Sequence, residues 1–233
     1  MRKMNKGFSQ EWEDEYKRRE ASNNIVSFPW SDVVSHLHRY CSEFFCQEPP
    51  RKILELGCGT GANIPLFLSR GFQYVGIDGS DTAIKLVRAK FSQLTFIKHD
   101  FTTTLPFEDE SFDLILDRGS ITYVETASLE NMFQEIYRIL KKGGLFLCVD
   151  LFSKEHPSFL LAEKDKKIDG STILNPSFGS TSFLGSVRFW DYNDILTYFK
   201  DFKVLYKQHK KVDDMTREQK HGYASYDIIA KKE

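Results

Sequence analysis

Between Arg51 and Leu151 the apolar positions keep two rhythms that alternate along the chain. Short apolar runs at about 52–56, 73–78, 94–98, 112–116 and 145–151 predict strands. Between several of them the apolar residues recur at helical spacing. Ala83, Ile84, Val87 and Phe91 share one face after Ser80 and Asp81, and Leu129, Met132, Phe133, Ile136 and Leu140 share another over 128–140. A shorter helix is predicted from Ala62 to Arg70, with Pro65 accommodated in its first turn. Lys141-Lys142 suit the negative end of the 128–140 helix, and Gly143-Gly144 are expected to terminate it. Strands alternating with helices in this way predict a parallel sheet covered on both faces.

The two ends of the chain break the pattern. Residues 9–22 are strongly charged, with Trp12 and Tyr16 as the large apolar surface of one helix face. After the Phe28-Pro29-Trp30 break, Ser31 reads as the N-cap of a helix to about Phe45, which Pro49-Pro50 close off; His36 and His38 are expected on its surface. Residues 153–186 are mixed, with lysines at 164, 166 and 167 that read as a solvated charge run, then a Ser/Gly/Phe stretch. A helix at about 191–200 precedes strands at 202–209 and 223–231. With no helix between them, these last strands are expected to be antiparallel neighbours at a sheet edge. The expected fold is therefore α/β: a Rossmann-like, seven-stranded, mostly parallel sheet with an antiparallel C-terminal strand pair. An N-terminal helical cover (1–50) precedes the main domain (51–233), whose variable lid segment 153–190 follows strand five.

Composition narrows the partners. The 233 residues carry a formal net charge of -1, so no global basic field exists to hold nucleic acid through its phosphates. The four cysteines include no CxxC pair and no metal-ligand spacing, so neither structural zinc nor a disulfide framework is expected; Cys58 and Cys148 read as small buried residues. No apolar run approaches the ~18 residues of a membrane span, and the cytoplasm is the expected compartment.

The candidate chemistry lies in Glu55-Leu56-Gly57-Cys58-Gly59-Thr60-Gly61-Ala62 and in Asp78, which ends the next strand. Glycines at a strand-to-helix turn let backbone approach a ligand, and a carboxylate roughly 20 residues on can accept both ribose hydroxyls of an adenine nucleoside. Gly57, Gly59 and Ala62 also satisfy the pattern of nicotinamide enzymes. Glu55 beside the turn disfavours a pyrophosphate and is compatible with a sulfonium ligand, and Asp100 lies where a carboxylate can receive an exocyclic amine.

These pieces resemble the class I S-adenosylmethionine-dependent methyltransferases, especially the broad bacterial group acting on small molecules. The matching motifs are ELGCGTG, YVGID followed by GS, the HDF turn, LPFEDESFDLILD and EIYRILKKGG, running continuously over 51–152. The resemblance implies that Glu55, Gly57, Cys58, Gly59 and Gly61 surround the cofactor's amino-acid part. It likewise implies that Asp78 with Gly79 holds the ribose, Asp100 with Phe101 the adenine, and that Asp117 faces the methyl group or the amino-acid end. It implies methyl transfer from S-adenosylmethionine, without a metal, to oxygen, nitrogen or carbon of a small molecule. The alternatives are a nicotinamide-dependent oxidoreductase and a non-catalytic S-adenosylmethionine-binding module; a nucleic-acid acceptor is disfavoured by the missing basic stripe. Tyr16 is expected to cover the cofactor, and Arg118, Tyr192 and Trp30 to contact the acceptor. Asp117, His156 and Tyr192 are the catalytic candidates, in a monomer or homodimer.

Overall fold

A computed structural model describes the chain except residues 1–7, 163–166, 178–180, 183 and 217–221. Lys164, Lys166 and part of the Ser/Gly/Phe stretch thus lie outside the described residues. Seven strands form the main sheet: β1 (Lys52–Leu56), β2 (Gln73–Asp78), β3 (Thr95–Lys98), β4 (Phe112–Arg118), β5 (Leu140–Phe152), β8 (Lys203–Val212) and β9 (Tyr223–Lys231). Their order is β3-β2-β1-β4-β5-β9-β8. The first five are parallel, and β9 and β8 join antiparallel, as the helix-free connection between them requires.

Both faces of the sheet are covered, so the central strands read as continuous apolar runs rather than alternating ones. On one face Leu54, Leu56 and Ile115 pack under α5 (Thr126–Ile139) and α7 (Tyr192–Tyr198). On the other, Ile53, Leu114, Leu116 and Leu147 meet α2 (Ser31–Tyr40), α3 (Ile64–Ser69) and α4 (Asp81–Lys90). The N-terminal helix α1 (Gln10–Ala21) meets α4 through the buried acid Glu13. The Glu13 carboxylate accepts hydrogen bonds from Ser80 Oγ (2.5 Å), Thr82 Oγ1 (2.6 Å) and Thr82 N–H (3.2 Å) at the start of α4. Burial works to raise its pKa, but these donors outweigh that and hold it down to about 2. A negative charge at a helix N-terminus is also favoured by the helix dipole.

Three sequence expectations need correction here. Gly143-Gly144 do not terminate α5: the chain turns extended at Leu140, and both glycines lie inside the long strand β5, beside a register shift opposite Phe112 and Leu114. The helix expected to reach Phe45 ends at Tyr40 and gives way to a 3-10 turn, Ser42–Phe44. His36 is not on the surface; it is buried, with Nε2 2.9 Å from Asp227 Oδ2. The mixed segment after β5 contains the short helix α6 (Pro157–Leu160) and a two-stranded hairpin of β6 (Thr172–Leu174) and β7 (Ser186–Arg188), which its composition did not predict. Among the described residues no helix is long and apolar enough to cross a membrane.

Candidate functional site

The carboxyl ends of β1, β2, β4 and β5 and the inner side of α1 enclose a cavity of about 600 Å³. It straddles the point where strand order reverses between β1 and β4, the place where open α/β sheets bind ligands. Its floor is the glycine turn. Gly57 and Gly59 have φ of 63° and 52°, a left-handed backbone that side chains resist. A Cβ on Gly59 would also lie 2.7 Å from the Tyr16 hydroxyl, so this turn is closely covered by α1. Trp12, one helical turn earlier, packs edge-on against Tyr123 with centroids 4.9 Å apart. Both aromatics line the cavity.

Asp78 ends β2 at the cavity wall. Its Oδ2 accepts Gly59 N–H at 2.9 Å and its Oδ1 accepts Ser80 N–H at 2.8 Å, which ties turn and strand together. Burial raises its pKa to about 6 against the pull of these N–H donors. Glu55 lines the same floor, held by Tyr74 OH (2.5 Å) and Asn63 Nδ2 (2.8 Å); burial pushes it up to about 7. A buried acid pair below a glycine turn repels a pyrophosphate but accepts a hydroxyl or an ammonium, so this floor fits a cofactor without phosphates. Asp100 and Phe101 also line the cavity, with the Asp100 carboxylate accepting Phe8 N–H (3.1 Å) and Thr102 N–H (3.0 Å). Cys58, Gly79, Arg118 and Trp30 complete the predicted residues that the fold gathers here.

Four predicted residues stand elsewhere. Gly61 faces α3 and α4: a Cβ there would meet Ile64, Val87 and Phe91. Its role is close packing of helix on sheet. Asp117 is fully buried behind the turn after β4, where Oδ1 accepts Ser120 N–H (3.1 Å) and Ile121 N–H (3.0 Å). It caps that turn, and burial raises its pKa to about 7. His156 is buried at the start of α6, its Nδ1 accepting Ser158 N–H at 3.1 Å, and burial lowers its pKa to about 4. Tyr192 is 46% exposed and hydrogen-bonded to Lys207, outside the cavity. None of the three catalytic candidates lines the cavity.

The fold instead brings in Asp150, Phe152, Tyr123, Tyr223 and Leu184. Asp150 was legible only as a lone acid inside the apolar run Leu147–Phe152, a signal that a buried charge is retained there against its desolvation cost. It sits at a register shift in β5 with φ of 64°, unusual for a residue with a side chain.

Residues 53–144 match the family model of the methyltransferase domain. That stretch is a methyltransferase domain. It is 30% identical over 166 residues to an eEF1A lysine and N-terminal methyltransferase homolog of Drosophila pseudoobscura pseudoobscura, covering 64% of this chain and 23% of that protein. It is 33% identical over 151 residues to phthiotriol/phenolphthiotriol dimycocerosates methyltransferase 1 of Mycobacterium ulcerans, covering 62% of this chain and 52% of the relative. The chain thus spans about a quarter to a half of the length of these curated relatives. Among solved structures, a SAM-dependent methyltransferase of Methanosarcina mazei superposes with a TM-score of 0.67 at 20% identity, over 83% of this chain and 97% of that one. That likeness is one of fold.

Proposed function

We propose that this methyltransferase-family protein moves a methyl group from S-adenosylmethionine to an oxygen, nitrogen or carbon atom of a small-molecule acceptor. One observation carries the reading: a single cavity of about 600 Å³ runs from the glycine turn and Asp78 to Arg118, Asp150 and Tyr223. That volume falls within the ~300–1,000 Å³ of sites that enclose small ligands. In this reading Asp78 takes the ribose hydroxyls, with Gly79 beside it, and Asp100 and Phe101 flank the adenine. Gly57, Cys58 and Gly59 border the amino-acid tail above Glu55, and Tyr16 covers the turn. The bound cofactor supplies an already activated methyl group. The chain then has to align the acceptor in line and keep water out, so no strong general base is required of it. The described part of residues 8–50 serves as the cover, and the described part of segment 153–190 closes the acceptor end, a role supported by Leu184 in the cavity wall.

A protein acceptor is the second reading, and the name of the Drosophila relative favours it. Incubation with tritiated-methyl cofactor and a cell extract, separated afterwards into small molecules and polypeptides, tests both. Label among the small molecules is the expected result. Label confined to polypeptides replaces the small-molecule reading with the protein one, and no label in either fraction removes both.

A further inference from the structure

The acceptor end of the cavity is built around one carboxylate with four donors around it. Asp150 Oδ1 accepts hydrogen bonds from Lys210 Nζ (3.1 Å), Ser225 Oγ (3.2 Å) and the Tyr223 hydroxyl, while Oδ2 pairs with Arg118 Nη2 at 2.8 Å. Three of these donors crowd Oδ1, and Arg118 alone meets Oδ2. A second buried acid supports the first: Asp227 Oδ1 accepts Asp150 N–H (3.1 Å), and its Oδ2 lies 3.0 Å from Lys210 Nζ. The left-handed backbone at Asp150 is thus pinned from β9 and β8. Residues held in such conformations persist only where their surroundings over-determine them, and they gather at functional sites.

An acid already paired with two cations is a poor site for a cationic acceptor; it orients what is bonded to it. Arg118 lines the cavity, and its guanidinium lies 3.5 Å from the centroid of the Trp30 ring. Only Nη2 is committed to Asp150, and its Nε is buried without a partner among the described residues. A guanidinium fixed by one arm and stacked on an aromatic face is pre-organised for a planar anion, because little rotamer entropy remains to be lost. The wall beside it is aromatic: Trp12 on Tyr123 at 4.9 Å, Tyr123 near Phe152 at 6.3 Å, and Phe152 on Tyr223 at 5.7 Å.

We infer that the methyl acceptor is a small aromatic or apolar acid whose carboxylate docks on Arg118, with Asp150 as the residue that positions that guanidinium. This rests on the cavity's being a methyltransferase site, as proposed above. The acceptor's flat body lies along the aromatic wall, and its carboxylate meets the guanidinium of Arg118 where that residue lines the cavity. The same arrangement rejects neutral analogues, since an amide in place of the acid leaves the guanidinium edge without its charge-assisted bond.

The probes are benzoate and benzamide, added to the full-length protein saturated with S-adenosylhomocysteine and followed by thermal unfolding. Benzoate is expected to raise the unfolding temperature saturably, with benzamide at least tenfold weaker. Arg118→Gln is expected to erase that difference while holding S-adenosylhomocysteine within threefold of the unchanged protein by calorimetry. Arg118→Lys keeps a charge for Asp150 and guards against a folding defect. It is expected to recover less than a third of the discrimination, because a point charge lacks the planar fork. Benzamide as effective as benzoate overturns the inference. So does a tenfold loss of S-adenosylhomocysteine affinity in both variants, which would assign Arg118 to the cofactor's own carboxylate. If the unchanged protein does not bind S-adenosylhomocysteine at all, the methyltransferase reading itself falls, and the inference with it.

Discussion

The two ends of the cavity handle buried acids in opposite ways. At the end over β1 and β2, Glu55 and Asp78 are held by neutral donors, namely a phenol, an amide and backbone N–H groups, and burial raises their pKa to about 7 and about 6. At the end over β4, β5 and β9, Asp150 and Asp227 are paired with Arg118 and Lys210. Burial works against ionisation of Asp227 too, but His36 and Lys210 hold its pKa below the usual range. The first end therefore keeps its acids without a cationic partner, which in the proposed reading the ligand's hydroxyl or ammonium donors supply. The second has its acids paired with Arg118 and Lys210 inside the protein before any ligand arrives. The difference teaches where ligand binding and where folding supply the compensation for a buried charge.

Removing an acid from the second end should therefore cost folding. Asp227→Ala leaves the Asp150 N–H and the buried His36 Nε2 without their partner and takes one of three carboxylates from Lys210, and breaking a buried charged network of this kind typically costs ~3–5 kcal/mol. Denaturant unfolding should show a loss of that order, with S-adenosylhomocysteine affinity within about threefold of normal by the size of effect expected for a distant site. A large affinity loss at unchanged stability would erase the contrast between the ends.

The first end should respond through the ligand instead. Gly59→Val places a side chain at a φ of 52° and against the Tyr16 hydroxyl, so cofactor binding should fall by about a hundredfold or more, each tenfold step being ~1.4 kcal/mol, with a cooperative melt retained. Normal binding by this variant would make the turn purely structural. In the proposed binding mode Asp78→Asn removes the charge from two hydrogen bonds to the ribose, and it should weaken S-adenosylhomocysteine by about tenfold in calorimetry.

The pH response separates the ends without mutation. For Asp78 and Glu55 the folded pKa lies above the ordinary value, so between about pH 4 and pH 7 the folded state binds more protons than the unfolded one. Their contribution to the stability of the free protein therefore declines as pH rises through that window. Binding should move the other way, because the ionised Asp78 is the better acceptor. S-adenosylhomocysteine affinity should rise from pH 5 to pH 7.5 with a midpoint near the pKa of about 6, and Asp78→Asn should flatten the profile. A flat profile in the unchanged protein would show that Asp78 does not meet the ligand. The smallest effect belongs to Tyr192→Phe: the residue is exposed and away from the cavity, so turnover and stability should both stay within about 0.5 kcal/mol of normal.

The strand and helix rhythm of residues 51–152, the antiparallel final pair and the floor of the site were legible because they rest on local signals. Strand β2 ends at Asp78 where its apolar run stops, and β9 spans Tyr223–Lys231 as its composition predicts. A glycine turn followed by a distant carboxylate is likewise a pattern written in one stretch of chain, so Gly57, Gly59 and Asp78 could be named from it. Gly61 and Asp117 belong to the same motifs, yet which side of the turn each faces depends on the helices packed there. The end over β4, β5 and β9 had no local signature. Arg118, Asp150, Lys210, Tyr223 and Asp227 come from three separate parts of the chain and meet because β9 inserts between β5 and β8. A lone acid in an apolar strand announces that a buried charge exists. Only the tertiary structure supplies its partners, since the desolvation that makes them necessary is a property of the packed sheet and not of the segment.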